Sequence, residues 1–312
     1  MIIDLIEQNI ADISLSLLER LLADKTTGRS IIWATDNYAK YGEEYEASRE
    51  IIPELIIGCN THIIQPRVSK ALVEQTQRTR DRAEVFTPSW VCNEQNNLVD
   101  EAWFGRKNIF NYSQDHEWKV TQKPVSFPAG KSWQDYVDAR RLEVSCGEAP
   151  YIVSRYDTVS GKSIALNERI GLLDRKMRVV NENAEGADEW KKWARRAFES
   201  VYGYEYQGDN VLLARENLLL SYIEYYTQRF DRKPTLSEAQ KIATVISWNI
   251  WQMDGMTFLP PNCEEDSPYE QMTITSFSES PRNVSVPCVT YDWRSHCRVE
   301  FRSLMNGGRN HG

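Results

Sequence analysis

The chain has 312 residues, 41% of them apolar and 26% charged, with a net charge of −8 and a pI near 5.3. That length can bury a full core without disulfides or metals. No apolar run reaches the roughly 18 residues of a membrane span, and the acidity argues against a protein that wraps nucleic acid over its whole surface.

The first predicted element is helical. Residues 3–23 carry apolar side chains at Leu5, Ile6, Ile10, Ile13, Leu17, Leu18 and Leu21, a stripe at helical spacing. Residues 25–29 read as a turn and 31–34 as a short extended piece. Residues 66–83 read as a polar helix with Arg67, Lys70, Arg78, Arg80 and Arg82. Such a run can track phosphates, although a solvated charged face is the commoner reason for it. Pro88 is placed to start a helix running to about Trp103. Residues 105–131 form a loop or small hairpin, and Ser132 caps a short helix.

A denser alternation follows. Residues 142–145 are a short strand, and Gly147 and Pro150 mark a turn into a helix. Residues 167–183 and 187–200 are helical, 201–206 a second strand, and 209–230 a long helix. Thr235 and Glu238 have capping-box spacing before a helix over 236–247. Residues 248–253 are a third strand, 259–283 a polar loop, and 284–293 with 298–301 a closing hairpin. Strands alternating with helices imply a mostly parallel sheet with helices on both faces.

Three strand ends carry the chemistry. In Leu142-Glu143-Val144-Ser145-Cys146-Gly147-Glu148-Ala149-Pro150 an acid ends a strand and a small-residue turn follows. Ligands bind at such carboxyl ends, and Gly147 lets backbone approach one closely. Glu143 suits an ammonium; the plain alternative is an ordinary strand–turn–helix junction. Glu205 is placed to accept from ribose hydroxyls, and Asp254, before Gly255, from an adenine amine; each is otherwise a surface acid after a strand. The three acids are expected in register. Cys263, Cys288, His296 and Cys297 lack a usual zinc spacing, so no metal is expected. Six cysteines without a CxxC pair point to a reducing cytoplasm, and the opening MIIDLIEQNI has no basic n-region of a secretory signal.

These stretches resemble a family, the adenine-N6 DNA methyltransferases of restriction–modification systems, and among them the short M subunits. Glu84-Val85-Phe86-Thr87-Pro88 is similar to their motif X, and the Glu143–Tyr151 run to motif I, with Cys146 and Gly147 matching and Ala149 in place of the second glycine. Residues 202–218, with Glu205 and Ala214-Arg215-Glu216-Asn217-Leu218, resemble motif II; residues 249–256, with Asp254, resemble motif III. The resemblance implies a Rossmann-like S-adenosylmethionine-dependent methyltransferase domain over 84–312 after a helical N-terminal region, 1–83. It implies S-adenosylmethionine as cofactor, held by Phe86, Thr87, Pro88, Glu143, Cys146, Gly147, Glu205 and Asp254, and DNA as substrate.

Two departures shape the expectation. Glu143 and Glu205 stand 62 positions apart, where a minimal strand–helix–strand unit needs about 30 residues. The catalytic N-P-P-Y motif is absent. The only Pro-Pro is Leu259-Pro260-Pro261-Asn262, which leaves Asp254, Pro260, Pro261 and Asp292 as substitute catalytic candidates. The chain is short for a target-recognition domain besides the core, so a partner subunit is expected for recognition or catalysis, in a homo- or hetero-oligomer away from any membrane. The alternative is a non-catalytic S-adenosylmethionine-binding subunit or sensor, or an interaction protein of the same shape with an empty cofactor site.

Overall fold

The computed structural model describes residues 7–70, 75–76, 78–80, 87–263 and 286–306. It is a mixed α/β structure. Helices α1 (Glu7–Ile13) and α2 (Leu15–Leu22) break at Ser14, where the expected single helix divides. Short 3-10 turns lead to Ser69. Of the expected helix over 66–83, the described residues show a 3-10 turn at Arg67–Ser69, a non-helical Lys70 and helical residues at 75–76 and 78–80; positions 71–74, 77 and 81–83 lie outside the described residues.

Helix α3 (Ser89–Phe104) has Pro88 as its N-cap, one position before the expected site, and closes on left-handed Gly105. The hairpin β1 (Asn111–Gln114) and β2 (Glu117–Val120) precedes α4 (Trp133–Asp138), which Ser132 and Asp135 cap reciprocally. Then come β3 (Arg141–Val144), α5 (Leu172–Asn183), α6 (Ala187–Glu199), β4 (Val201–Glu205), α7 (Gly208–Phe230), α8 (Leu236–Asn249) and β5 (Ile250–Gln252). The hairpin β6 (Val289–Asp292) and β7 (Cys297–Glu300) and helix α9 (Phe301–Asn306) complete the order.

Strands β3, β4 and β5 form one parallel sheet in that order, with Glu143 beside Gly203 and Glu205 beside Gln252. Both crossovers step in the same direction. Right-handed crossovers of that kind put their helices on one face. Alternation along the strands agrees: Val201 and Ile250 lie in the main core with the helices, whereas Tyr204 and Trp251 pack with Cys288 and Phe301. The expectation of helices on both faces is met unevenly. The large helices cover one face, and the β6–β7 hairpin with the short α9 covers part of the other. No strand is paired beyond β3 among the described residues.

Pro150 does not start a helix. Ser145, Gly147 and Ala149 all take left-handed backbone, with φ of 51°, 52° and 63°. That alternation coils the chain into successive turns, and the first α-helix after β3 begins at Leu172. The long turn region, α5 and α6 together account for the spacing between Glu143 and Glu205.

The N-terminal residues share the main core, which runs from Ile10 to Ile250. Fully buried Arg215 fastens the two parts. It donates to the carbonyls of Leu21 (2.5 Å) and Ala23 (3.1 Å) at the end of α2, and to Ser247 (3.3 Å) and Ile250 (2.8 Å) at the end of α8. Helix C-termini leave such carbonyls without intrahelical partners, and one guanidinium satisfies two ends at once. Gly208 allows the close approach of the same segment: a Cβ there would lie 2.0 Å from the Ile32 carbonyl oxygen.

Candidate functional site

The carboxyl ends of the parallel strands gather most of the expected residues. Glu143 lies within β3 and Glu205 ends β4, and the pairing sets Glu205 two residues beyond Glu143. Asp254 lies two residues beyond Gln252, the partner of Glu205. The acids are thus staggered by two residues per strand, not in register. An even step keeps Glu143 and Glu205 on the same face.

Glu205 ties the strand ends together. Its Oε2 accepts the Gly147 amide at 3.0 Å and its Oε1 the Gln207 amide at 3.1 Å. Glu143 Oε1 accepts the Tyr151 amide at 3.4 Å. Glu143 Oε2 is buried without a hydrogen-bond partner. Burial, opposed by the Tyr151 and Ile152 amides, holds this carboxyl well above the usual carboxylate range. Cys146 beside it is also buried, and burial with the two nearby glutamates pushes its thiol up.

Thr87 reaches this junction. Its carbonyl accepts from the Thr158 hydroxyl at 3.1 Å, and the Tyr151 side chain lies close by. Pro88 follows as the cap of α3, and the Ser89 amide donates to Asp157 at 2.7 Å. Residues 87–89 therefore meet the segment that follows the Gly147 turn, at Asp157 and Thr158, although 68 and 71 positions of chain separate the two bonded pairs. Phe86 lies outside the described residues.

Asp254 lies just past the neighbouring strand's end, whereas Pro260, Pro261 and Asp292 sit apart. Asp254 closes a turn, accepting the Met256 amide at 2.8 Å. Pro260 and Pro261 are buried and line a small cleft with Asp24, Arg29 and Ser48 of the N-terminal region. Asp292 accepts from Arg140 at 2.5 Å, the residue just before β3, so it lies at the opposite end of the sheet from Gly147.

Several polar groups could not be read from spacing. Glu148 is buried in the turn and accepts the Arg67 amide (2.7 Å) and the Tyr156 hydroxyl (2.5 Å). Asn217 donates to the Glu148 carbonyl at 3.1 Å. At the start of α7, Asp209 holds Lys70 (3.0 Å), Arg78 (2.9 Å) and the Tyr38 hydroxyl (2.7 Å). Burial alone would raise that carboxyl, but Arg78 and Lys70 hold it below the usual range. Two cations of the charged run over 66–83, Lys70 and Arg78, are thus paired inside the protein at the start of α7. The one sequence hint was Asp209 itself, an acid in the first turn after a strand; its partners come from more than a hundred residues upstream.

Among the described residues no three His, Cys, Asp or Glu side chains converge in a metal-holding group, and no helix is long and apolar enough to cross a membrane. Comparison with protein-family models, with curated proteins and with solved structures yields no match.

Proposed function

We propose that this chain is an S-adenosylmethionine-binding, adenine-N6 DNA methyltransferase-like subunit of a restriction–modification or phage-defence system, built on a Rossmann-like sheet and acting with a partner in the cytoplasm. The observation that carries the reading is Glu143 Oε2. It is a buried carboxylate oxygen with no partner, at a parallel strand's end, beside a glycine turn. A buried orphan of this kind is costly, and a ligand ammonium satisfies it.

The residues fit the group. Glu143 would hold the ammonium, Glu205 the ribose hydroxyls, which it would share with the Gly147 and Gln207 amides, and Thr87 the carboxylate. Asp254 would take the adenine amine. The bound cofactor supplies the methyl group. Ala149 supports the resemblance in a second way: it stands where the motif has glycine, and its φ of 63° is a conformation that glycine adopts at least cost.

A second reading is a cofactor-binding subunit without transfer of its own. The placement of Pro260 and Pro261 against the N-terminal region favours it. The first test is calorimetry of the pure chain with S-adenosylmethionine. Binding is expected; a flat titration at ligand concentrations up to about 1 mM, a weak limit of about −4 kcal/mol, would overturn both readings and leave an interaction protein.

A further inference from the structure

A row of rings and cations crosses the end of the molecule where the parallel strands begin. Tyr291 lies between Trp248 and Trp293, with ring centroids 5.3 and 4.5 Å away. The Arg298 guanidinium lies 5.2 Å over Trp248, and that of Arg195 6.0 Å over Trp293. Lys192, one turn before Arg195 on α6, lies 5.7 Å over Trp193, which meets Trp133 edge-on at 5.0 Å. The hairpin and the sheet fix the row. Tyr291 stands opposite Arg298 across β6 and β7, the Tyr202 hydroxyl donates to the Tyr291 carbonyl at 3.2 Å, and the Trp293 indole donates to Asn249 at 2.8 Å. All five rings are half-buried, so each keeps some surface in solvent.

The charge around the row departs from that of the chain, whose net charge is −8. Arg140, Arg195, Arg196 and Arg294 share three carboxylates, those of Asp138, Glu199 and Asp292. Lys192 and Arg298 are exposed and form no ion pair among the described residues. Cations alone suit any phosphate backbone. Rings set between cations suit bases that are not held in a duplex, because aromatic faces and guanidinium planes take unpaired bases by stacking.

We infer that this face binds single-stranded nucleic acid, with bases against Trp248, Tyr291 and Trp293 and phosphates on Lys192, Arg195 and Arg298. Its bonds to Arg140, Tyr202 and Asn249 put it at the amino ends of the strands, opposite the Gly147 turn. The inference therefore stands apart from the cofactor reading. One segment of the chain has the charge to compete: residues 264–285 hold Glu264, Glu265, Asp266, Glu270 and Glu279 against Arg282.

The test titrates the full chain, without S-adenosylmethionine, into fluorescein-labelled mixed-sequence single-stranded DNA and into the same sequence as a duplex. The single strand should bind more tightly than the duplex, and its affinity should fall as salt rises. Lys192→Glu combined with Arg298→Glu should weaken that binding by about tenfold or more at an unchanged melting temperature. Lys119→Glu, at an exposed position of β2, should leave it unchanged. Ultraviolet cross-linking of the strand to the wild-type chain should mark peptides that carry Trp248, Tyr291 or Trp293. No binding, equal or tighter duplex binding, cross-links only elsewhere, or unchanged affinity in the double variant would each overturn the inference. So would single-strand binding that appears only after the five acids of 264–285 are replaced by amides, since the chain's own segment would then be the occupant. Cofactor binding is measured separately, so failure here leaves the ligand reading standing.

Discussion

Burial holds the Glu143 carboxyl in its neutral form over a range where an exposed glutamate is ionised. A ligand ammonium pairs only with the ionised form, so binding must expel a proton. Affinity for S-adenosylmethionine should therefore rise with pH above the ordinary carboxyl range and level off once Glu143 is ionised in the free protein. Glu143→Gln should remove the charge-assisted bond, worth roughly 1.5–3 kcal/mol, and weaken binding by about ten- to a hundredfold. It should also flatten the pH dependence. Calorimetry in two buffers of different ionisation enthalpy reads the released proton directly. An unchanged proton count in the variant would place the ammonium elsewhere. At this scale the sequence announced Glu143, Gly147 and Glu205, because a strand end followed by a small-residue turn is a local pattern. It misled at Pro150, since nothing in Ser145 or Ala149 shows that each takes a left-handed backbone.

Helix α7 combines the features that local patterns could and could not reveal. Its apolar run gave its position, and Thr235 with Glu238 marked the start of α8 by spacing alone. The partners of its buried polar residues come from remote segments: Arg215 caps α2, Asp209 holds Lys70 and Arg78, and Glu216 interacts with Glu7 of α1. Neither carboxyl of this last pair has a hydrogen-bond partner. Burial pushes Glu7 up to about 8 and, with Glu7 beside it, holds Glu216 well above the carboxylate range. In the unfolded chain both titrate near the ordinary value. Between that value and about 8 the folded state holds more protons than the unfolded state, so stability is full at low pH and is lost as pH rises through about 8. The slope is at most about 1.4 kcal/mol per pH unit for each group. Melting temperatures measured from pH 5 to pH 8.5 should fall for the wild type and fall less for Glu7→Gln. A steeper fall in the variant would show that the pair is stabilised by something other than its protons.

At the scale of the whole molecule, the residues expected to hold a cofactor and most of those expected to serve transfer lie in different places. The expected ligand residues Thr87, Glu143, Gly147 and Glu205 converge at one end of the sheet. The substitute catalytic candidates do not: Pro260 and Pro261 face the N-terminal region and Asp292 lies at the far end of β3. Strand β3 has no further strand on its outer side among the described residues. The net charge is −8 despite 37 Lys and Arg, and Lys70 and Arg78 are buried against Asp209 and so unavailable to a phosphate backbone. Groups that orient an attacking amine carry several kcal/mol of a barrier, and each 1.4 kcal/mol is about tenfold in rate. The pure chain, incubated with labelled S-adenosylmethionine and mixed-sequence DNA, should therefore bind cofactor and leave adenine unmethylated or labelled orders of magnitude more slowly than a complete enzyme. Adding a partner polypeptide that completes the site should restore incorporation. Robust adenine methylation by the chain alone would show instead that transfer groups lie within it, and Glu143→Gln and Asp254→Asn variants assayed for incorporation would then locate them.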